Sequence, residues 1–228
     1  MAVLLVLAAV GAGAEVWARH QTESVIAASL ADADADADAD SHVTVHGFPV
    51  PVLLQLARGQ LDDITITAPA AGFDGMRLED LSVHAEGVST TSPSTVRNFT
   101  TTALLPTEEI RAKVEPVVGQ QVELSIRDGL LRIGSELPGL NLALAFEVSV
   151  IPDGLRLDPV AVGLGDEAIP VDALPFGIGD WVGPIVVPVA LQDGLVLDAV
   201  EIEPEGARIT VSGRDVVMDE SLLGATEG

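Results

Sequence analysis

Apolar and polar residues alternate with a period of two along most of the chain beyond Ser41, which predicts half-buried β-strands. In the longest run, residues 142–150, one side carries Leu, Leu, Phe, Val and Val, and the other carries Ala, Ala, Glu and Ser. Asp-Gly-Leu occurs at 128–130, 153–155 and 193–195, each time between two alternating runs, and Glu205-Gly206 is a looser copy. Because Asp-Gly supplies the positive φ angles of tight hairpins, the sequence predicts an α+β, β-dominated fold built on an antiparallel β-meander.

Two short stripes with helical spacing interrupt the strands. The first covers residues 52–57 and ends at Gly59, a residue type that commonly terminates helices. The second begins after Pro106 and carries Ile110 and Val114 on one side. Both patterns predict short helices that pack against the sheet.

The N-terminus predicts export. Ala2 to Ala14 is an uninterrupted apolar run of 13 residues, the length of a signal-peptide core rather than of a full span of about 20 residues. It ends in the small residues Ala12-Gly13-Ala14, and Trp17 follows near the expected membrane interface. No Lys or Arg precedes the run, although export signals normally begin with positive charge. A start further upstream would add the missing charges and lengthen the run into an anchor, and an ordinary buried helix is the alternative. We predict a signal or anchor segment with a helix at residues 1–30.

Residues 31–41 form an acidic segment in which Asp alternates with Ala. Calcium-binding loops also repeat acidic residues at alternate positions, but they need Gly at position six and Glu at position twelve. Counted from Asp32 or from Asp34, those positions hold Ala and Val. We therefore interpret this segment as a solvated linker, followed by a β-rich domain over 42–220 and a tail over 221–228.

The charge of the chain excludes nucleic acid as a partner. Eleven Lys and Arg residues against 35 Asp and Glu residues give a net charge of −24, and such a surface repels phosphate backbones. The chain has no cysteine, which excludes disulfides, thiolate catalysis and zinc–thiolate sites.

No catalytic or metal-binding motif emerges from the sequence. His42 and His46 share a strand face but stand roughly 13 Å apart, too far to chelate one metal ion. The signatures H-E-x-x-H and G-x-S-x-G and the phosphate-binding loop are all missing. We predict no enzyme, no cofactor and no metal, with an undetected hydrolase as the enzymatic alternative.

The unusual property is an excess of apolar residues, 48% of the chain with a mean hydropathy of +0.41. Residues 185–191 are apolar on both strand faces, and residues 174–178 form a second apolar stretch. Helices of the same chain could cover these residues, or one face of the sheet could line a groove for lipid chains. A lipid ligand favours an enclosed groove, because each methylene exposed to water costs about 0.8 kcal/mol.

Several short motifs resemble the LmeA-like phospholipid-binding proteins of actinobacteria, over roughly residues 15–218. The matching segments are Gly47-Phe48-Pro49, Leu53-Leu54, Gly59, Asp62-Asp63-Ile64-Thr65-Ile66, Leu105-Pro106-Thr107, and the closing run from Leu174-Pro175 through Asp193-Gly194-Leu195 to Ser212-Gly213-Arg214-Asp215-Val216. The chain departs from that family in its Asp-Ala run and in the lack of a basic start.

The resemblance implies a fold similar to the tubular lipid-binding (TULIP) proteins, in which a curved antiparallel sheet wraps around a short helix and encloses an apolar groove. It also implies phospholipid binding in the cell envelope, with a suggested role in assembling lipid-linked glycans. We predict a monomeric lipid-binding or lipid-transfer protein at the outer face of the cytoplasmic membrane, in the periplasm or cell envelope, secreted or anchored by its N-terminal helix. An exported structural or protein-interaction β domain without a ligand is the alternative, and a filled interior would favour it over an apolar tunnel.

Candidate lipid-contacting residues lie on both predicted helices, on one strand and in a late loop, although each of them could equally be plain core. They are Phe48, Leu53, Leu54, Leu56, Ile110, Val114, Phe146, Phe176, Ile178 and Trp181. A headgroup phosphate needs cations for charge-assisted hydrogen bonds. The candidates for that role are Arg111, Lys113 and Arg132.

Overall fold

Strands dominate the structure, a computed structural model that describes residues 18–24, 42–47, 50–73, 76–91, 94–118, 121–137, 140–152, 154–164, 167–173, 183–189 and 191–218. The strands are β1 (His42–Val45), β2 (Gln60–Phe73), β3 (Met76–Ser89), β4 (Ser94–Pro106), β5 (Glu123–Arg127), β6 (Leu130–Leu137), β7 (Leu140–Ile151), β8 (Gly154–Leu164), β9 (Glu167–Pro170), β10 (Ile185–Pro188), β11 (Leu195–Glu203) and β12 (Gly206–Met218). The helices are α1 (residues 18–24), α2 (Val52–Ala57), α3 (Thr107–Val118) and a short 3₁₀ helix (Val171–Ala173).

The strands form two sheets. The first has the order β1-β2-β3-β4-β12-β11, and the second has the order β10-β8-β7-β6-β5, with β9 paired to β8. Curved antiparallel sheets with few, short helices confirm the predicted β-dominated α+β class. Both short helices lie where the sequence predicts them, and Gly59 ends α2 in the left-handed region with a φ of 72°.

The chain divides into two compact units. The first takes its described residues from Met1–Thr102, Asp193–Leu195 and Ser212–Gly228, and the second from Ala103–Gln192 and Val196–Val211. The prediction of one domain over 42–220 stays a prediction.

The core of the first unit lies between α2 and the strands β1 and β2. Val45 and Val52 are fully buried there, with Leu61 and Ile64 nearly so. Val45 and Ile64 alternate with polar neighbours along β1 and β2, the pattern that predicts one buried strand face, whereas Leu61 lies three residues before Ile64 and falls outside that period. Partly buried valine and isoleucine side chains of β1, β2 and β3 extend this core.

The second unit contains the predicted meander, β5 to β8. Asp128 and Gly129 have φ angles of 56° and 74° and close the β5–β6 hairpin, as a tight turn with two positive φ angles requires. The β7–β8 hairpin closes at Gly154, where an added Cβ would lie 2.2 Å from the carbonyl oxygen of Val187 on β10. Only glycine lets β10 approach β8 this closely at that point.

One predicted hairpin is wrong. Gly194 has a φ of 90° and precedes β11, as expected of the third Asp-Gly turn. The strands on either side of this turn, β10 and β11, belong to different sheets. β10 pairs instead with the beginning of β8, a long-range partner that the local turn chemistry does not reveal. The looser Glu205-Gly206 copy does connect two neighbouring strands, β11 and β12.

The predicted signal or anchor run, Ala2 to Ala14, and the linker at 31–41 lie outside the described residues. Among the helices that the structure describes, none has the length and hydrophobicity needed to cross a membrane.

Candidate functional site

One face of the second sheet is apolar across its whole width, and we call it the apolar face. Its buried centre is formed by Leu124, Leu131, Phe146 and Leu157, of which Phe146 is only 2% exposed. Partly buried apolar side chains surround this centre. They are Ile110, Ile126, Ile133, Leu144, Val148 and Leu155.

The apolar face continues onto the edge strand β10, where it is open. Ile185 lies opposite Leu157 in the ladder, and Val187 lies opposite Leu155. Directly opposed residues of neighbouring strands project to the same side of a sheet, so these two side chains extend the apolar face. They are 46% and 42% exposed. The face therefore grades from a buried centre to an exposed apolar edge.

Helix α3 lies against the same face through Ile110, which packs on the buried centre. Val114 follows one turn later, on the same side of the helix, and is half-buried. Of the predicted lipid-contacting residues, Ile110, Val114 and Phe146 thus belong to one region. Their role in lipid contact stays a prediction.

The predicted headgroup cations are dispersed. Arg111 forms an ion pair with Glu108 on the same side of α3, and Lys113 is exposed. Arg132 lies opposite Ala145 in the ladder, while the preceding Leu131 lies opposite Phe146. Because consecutive residues of a strand project to opposite sides, Arg132 and Phe146 lie on opposite faces of the sheet.

Arg132 borders a small trough on that other face. The lining residues are small, and they are Ala143, Ala145, Ala161 and Gly163. The cavity holds about 10 Å³, roughly the volume that a single water molecule needs. Arg132 places one terminal nitrogen 3.9 Å from the Asp128 carboxylate, and its Nε is buried with no hydrogen bond among the described residues.

In the first unit, α2 presents three large apolar side chains to the outside. Leu53, Leu54 and Leu56 are 42%, 45% and 38% exposed. We call these residues the leucine patch. The sequence predicts lipid contact for all three, and the structure shows that they do not belong to the buried core of their unit.

A buried glutamine fixes the orientation of α2. Gln55 is 1% exposed, and its amide nitrogen donates to the carbonyl oxygens of His46 and Val50 at 2.9 and 2.7 Å. Its amide oxygen accepts from the backbone N–H of Asp62 at 2.8 Å. A buried amide with both ends hydrogen-bonded is stable, so Gln55 ties the helix to the segments on both sides of it.

The first sheet also carries a shallow depression of about 350 Å³ between β2 and β3, at the lower end of ligand-site volumes of roughly 300–1,000 Å³. It is lined by Thr67, Ala68, Pro69, Asp80, Leu81 and Ser82. The ladder pairs residues on both sides of Pro69 and Asp80 but not these two themselves, and Asp80 has a φ of 50°. Its anionic side chain does not suit a phosphate headgroup.

A polar network crosses the first sheet. The ring nitrogens of His84 lie 3.4 Å from an Asp63 carboxylate oxygen and 3.6 Å from a Glu86 oxygen. Asn98 donates to Glu86 at 2.7 Å, and this hydrogen bond is the main reason that the pKa of Glu86 is lowered from 4.5. Within the residues that the structure describes, no group of three or more acidic or histidine side chains is arranged to hold a metal ion.

Four predicted lipid-contacting residues lie outside the described residues: Phe48, Phe176, Ile178 and Trp181. Conversely, the predicted set omits apolar-face members such as Ile133, Leu155 and Val187. Alternation signals Ile133 and Leu155, and the register of the Asp128-Gly129 hairpin would have placed Ile133 on the same side as Leu124. Val187 has no such signal, because residues 185–191 are apolar on both strand faces. Gln55 had no comparable signal, since it interrupts an apolar stripe as a surface residue would.

Comparison with known proteins identifies the family. A family model described as LmeA-like phospholipid-binding matches residues 13–213, most of the chain. Neither the curated proteins nor the solved structures contain a match to this sequence. The matched region covers parts of both units, from α1 to Gly213 within β12. The chain belongs to the LmeA-like phospholipid-binding family.

Proposed function

We propose that this protein is a non-enzymatic phospholipid-binding protein of the cell envelope that holds acyl chains against the apolar face. The observation that carries the proposal is the continuity of this face from the buried Phe146 to the exposed Ile185 and Val187. A sheet that only completed its own core would have no reason to keep its edge apolar. Membership in a phospholipid-binding family supplies the ligand class.

The dimensions of the apolar face fit an acyl chain. Five neighbouring strands, β10 to β5, span about 19 Å at roughly 4.8 Å per strand. Two leaflets share a hydrocarbon core of roughly 30 Å, so one acyl chain extends about 15 Å. A chain lying across the strands would contact the exposed edge and the partly buried residues around Phe146. Each methylene covered in this way contributes about 0.8 kcal/mol.

The setting that we propose is the outer face of the cytoplasmic membrane. The apolar run Ala2–Ala14 supports export or anchoring. A phospholipid carrier at that place could move lipid between membrane and enzyme, or support the assembly of lipid-linked glycans. No reaction is assigned to the protein itself, because the chemistry needed is reversible shielding of apolar chains from water.

The test uses two substitutions at adjacent positions of β7. Val148 is partly buried on the apolar face, whereas Ser149 is exposed on the opposite face. The full chain and its variants Val148→Gln and Ser149→Gln are extracted from membranes in mild detergent and examined by native mass spectrometry and organic extraction. Thermal unfolding of each variant confirms that it is folded.

We expect near-stoichiometric phospholipid on the parent chain and on Ser149→Gln. Val148→Gln should bind roughly tenfold more weakly, because a polar amide replaces contacts worth about two methylenes. A clean apo mass for the parent, without uptake from added liposomes, would contradict the proposal and favour a protein-interaction domain. Equal lipid occupancy in both variants would place the ligand elsewhere than on the apolar face.

A further inference from the structure

We infer that the leucine patch of α2 is a docking surface for a phospholipid bilayer, distinct from the apolar face that we propose holds the bound lipid. The inference rests on the proposed function in one respect, namely that a phospholipid-binding protein must exchange its ligand with a membrane. Three features of the first unit support it: the fixed orientation of α2, the segment anchored beside this helix and the absence of charge on the helix.

The orientation of α2 leaves its leucines no inward alternative. Val52 and Gln55, one turn apart, occupy the inward side of the helix at 0% and 1% exposure. Two hydrogen bonds that Gln55 donates and one that it accepts hold that side in place. Turning a leucine inward would leave buried carbonyl groups and an N–H without partners, each at a cost of about 1–3 kcal/mol. The leucine patch is therefore exposed because the hydrogen bonds of Gln55 fix the orientation of α2, and not because the helix packs loosely.

A bilayer is the occupant indicated by the neighbouring chain. The Glu23 side chain of α1 accepts a hydrogen bond from the backbone N–H of Val45 at 3.1 Å. The next residue, His46, accepts from Gln55 of α2. Both helices are thus tied to consecutive residues of the same segment. The buried Ala18 of α1 follows the apolar run Ala2–Ala14 by only four residues, so a membrane that received this run would also lie within reach of α2.

The charges around the patch favour a lipid surface over a soluble partner. Helix α2 contains no charged residue, although the chain as a whole carries a net charge of −24. Arg58, exposed directly after the helix, can direct its guanidinium to lipid phosphates while its stem lies along apolar surface. Because the rest of the protein repels anionic lipid, the attraction between α2 and a bilayer comes from insertion of the leucine side chains into its apolar interior. Docking on zwitterionic vesicles should therefore not require anionic lipid.

The absence of cysteine from the chain provides a clean test. An environment-sensitive fluorophore is attached to a single cysteine introduced into the full-length chain. The labelled protein is then mixed with phosphatidylcholine vesicles that contain bromolipid quenchers. The test position is Leu54→Cys. The matched control is Val217→Cys, which lies in the same unit and has the same exposure, 46% against 45% for Leu54.

We expect a blue-shifted emission and strong quenching at position 54 and neither at position 217. Adding Leu53→Ala and Leu56→Ala to the Leu54→Cys chain should reduce the docked population on the order of tenfold, because apolar area is lost from two side chains. An unquenched label at position 54, or quenching that is equal at position 217, would overturn the inference. A blue shift that rises with protein concentration in detergent without vesicles would also overturn the inference, because it would mean that a second copy of the chain covers the leucine patch.

Native mass spectrometry of the same preparations separates this inference from the proposed function. Docking without co-purifying phospholipid would refute the proposed function and leave the inference standing. Co-purifying phospholipid with an unquenched label at position 54 would refute the inference alone. The Leu53→Ala, Leu56→Ala chain should keep the phospholipid occupancy of its parent at equilibrium and load lipid from vesicles more slowly.

Discussion

Helices α2 and α3 are both short, both follow a proline and both carry an apolar stripe, but they use that stripe in opposite ways. Helix α3 turns Ile110 onto the buried centre of the apolar face. Helix α2 turns Val52 and Gln55 inward and leaves three leucines exposed. An apolar stripe therefore predicts where a helix forms but not which side of the helix is buried. In α2 that choice is made by hydrogen-bond partners.

The two helices should therefore depend on different interactions for their stability. The region under α3 is stabilised by the burial of apolar surface, which is proportional to area and tolerates changes of similar volume. The attachment of α2 depends on one amide and three backbone groups, which tolerate little change in geometry.

The largest effect is expected for Phe146→Ala, at the centre of the apolar face. Removing a fully buried phenyl ring leaves a cavity, and such substitutions cost about 3–5 kcal/mol in the free energy of unfolding. Urea denaturation measures the loss. Ile185→Ala, on the exposed edge of the same face, is the control and should change stability by less than about 1 kcal/mol. A loss of stability in Phe146→Ala as small as that in Ile185→Ala would mean that Phe146 is not part of a tightly packed core.

The second-largest loss of stability is expected when the buried amide of Gln55 in α2 is replaced. Gln55→Met keeps the side-chain volume but leaves two carbonyl groups and the Asp62 N–H without their partners. We expect a loss of about 2–4 kcal/mol, together with faster hydrogen exchange in α2. The control is Leu54→Ala, one residue earlier on the exposed side, which should be nearly neutral. If Gln55→Met were neutral as well, apolar packing of Val52 would suffice to hold α2.

Two glycines separate the cost of backbone strain from the cost of close contact. Gly129 has a positive φ with open space around it, whereas Gly154 combines a positive φ with the nearby Val187 carbonyl. Gly129→Ala should cost about 1 kcal/mol, the penalty for a left-handed side chain. Gly154→Ala should cost about 2 kcal/mol because β10 must also move. Hydrogen exchange should then show loss of protection in β10 only for Gly154→Ala. Protection that stays intact would show that β10 tolerates the displacement.

Much of the fold could be predicted because its determinants are local. Alternation predicts the strands, and the Asp-Gly turn at Asp128 predicts both a hairpin and its register. That register pairs Leu131 with Ile126 on the apolar face, and consecutive residues of a strand project to opposite sides, so the opposite orientation of Arg132 was also within reach of the sequence. The partner of β10 was not, because pairing with β8 depends on contacts between residues some thirty positions apart along the chain.

The candidate site was predicted only in part, for a similar reason. Phe146 and Ile110 are large apolar residues within clear patterns, and the structure brings them to one region. The inward orientation of Gln55 depends on carbonyl groups of His46 and Val50, whose positions no residue pattern encodes. A polar residue inside an apolar stripe is ordinarily assigned to the surface. The hydrogen-bond partners of Gln55 place this residue inside instead, and the leucines of α2 are exposed as a result.

The smallest effect concerns two partly exposed carboxylates, one in each unit. The Asn98 hydrogen bond lowers the pKa of Glu86, and hydrogen bonds from Arg208 at 2.6 and 3.0 Å lower the pKa of Glu203. A carboxyl group whose pKa is lowered on folding stabilises the protein above its unfolded pKa near 4.5, and this contribution disappears as the pH falls through the lowered value. Removing either donor, Asn98 or Arg208, should therefore lower the free energy of unfolding at neutral pH but not in strong acid.

Carbon-detected NMR titration distinguishes the two units. In Asn98→Ala the pKa of Glu86 should rise toward 4.5 while that of Glu203 stays lowered, and Arg208→Met should give the reverse result. His84 lies 3.6 Å from Glu86 and also lowers its pKa, so Asn98→Ala should not restore the ordinary value fully. The double variant Asn98→Ala, His84→Gln should approach it more closely. A Glu86 pKa that is unchanged in Asn98→Ala would show that charge, rather than the amide hydrogen bond, controls this site.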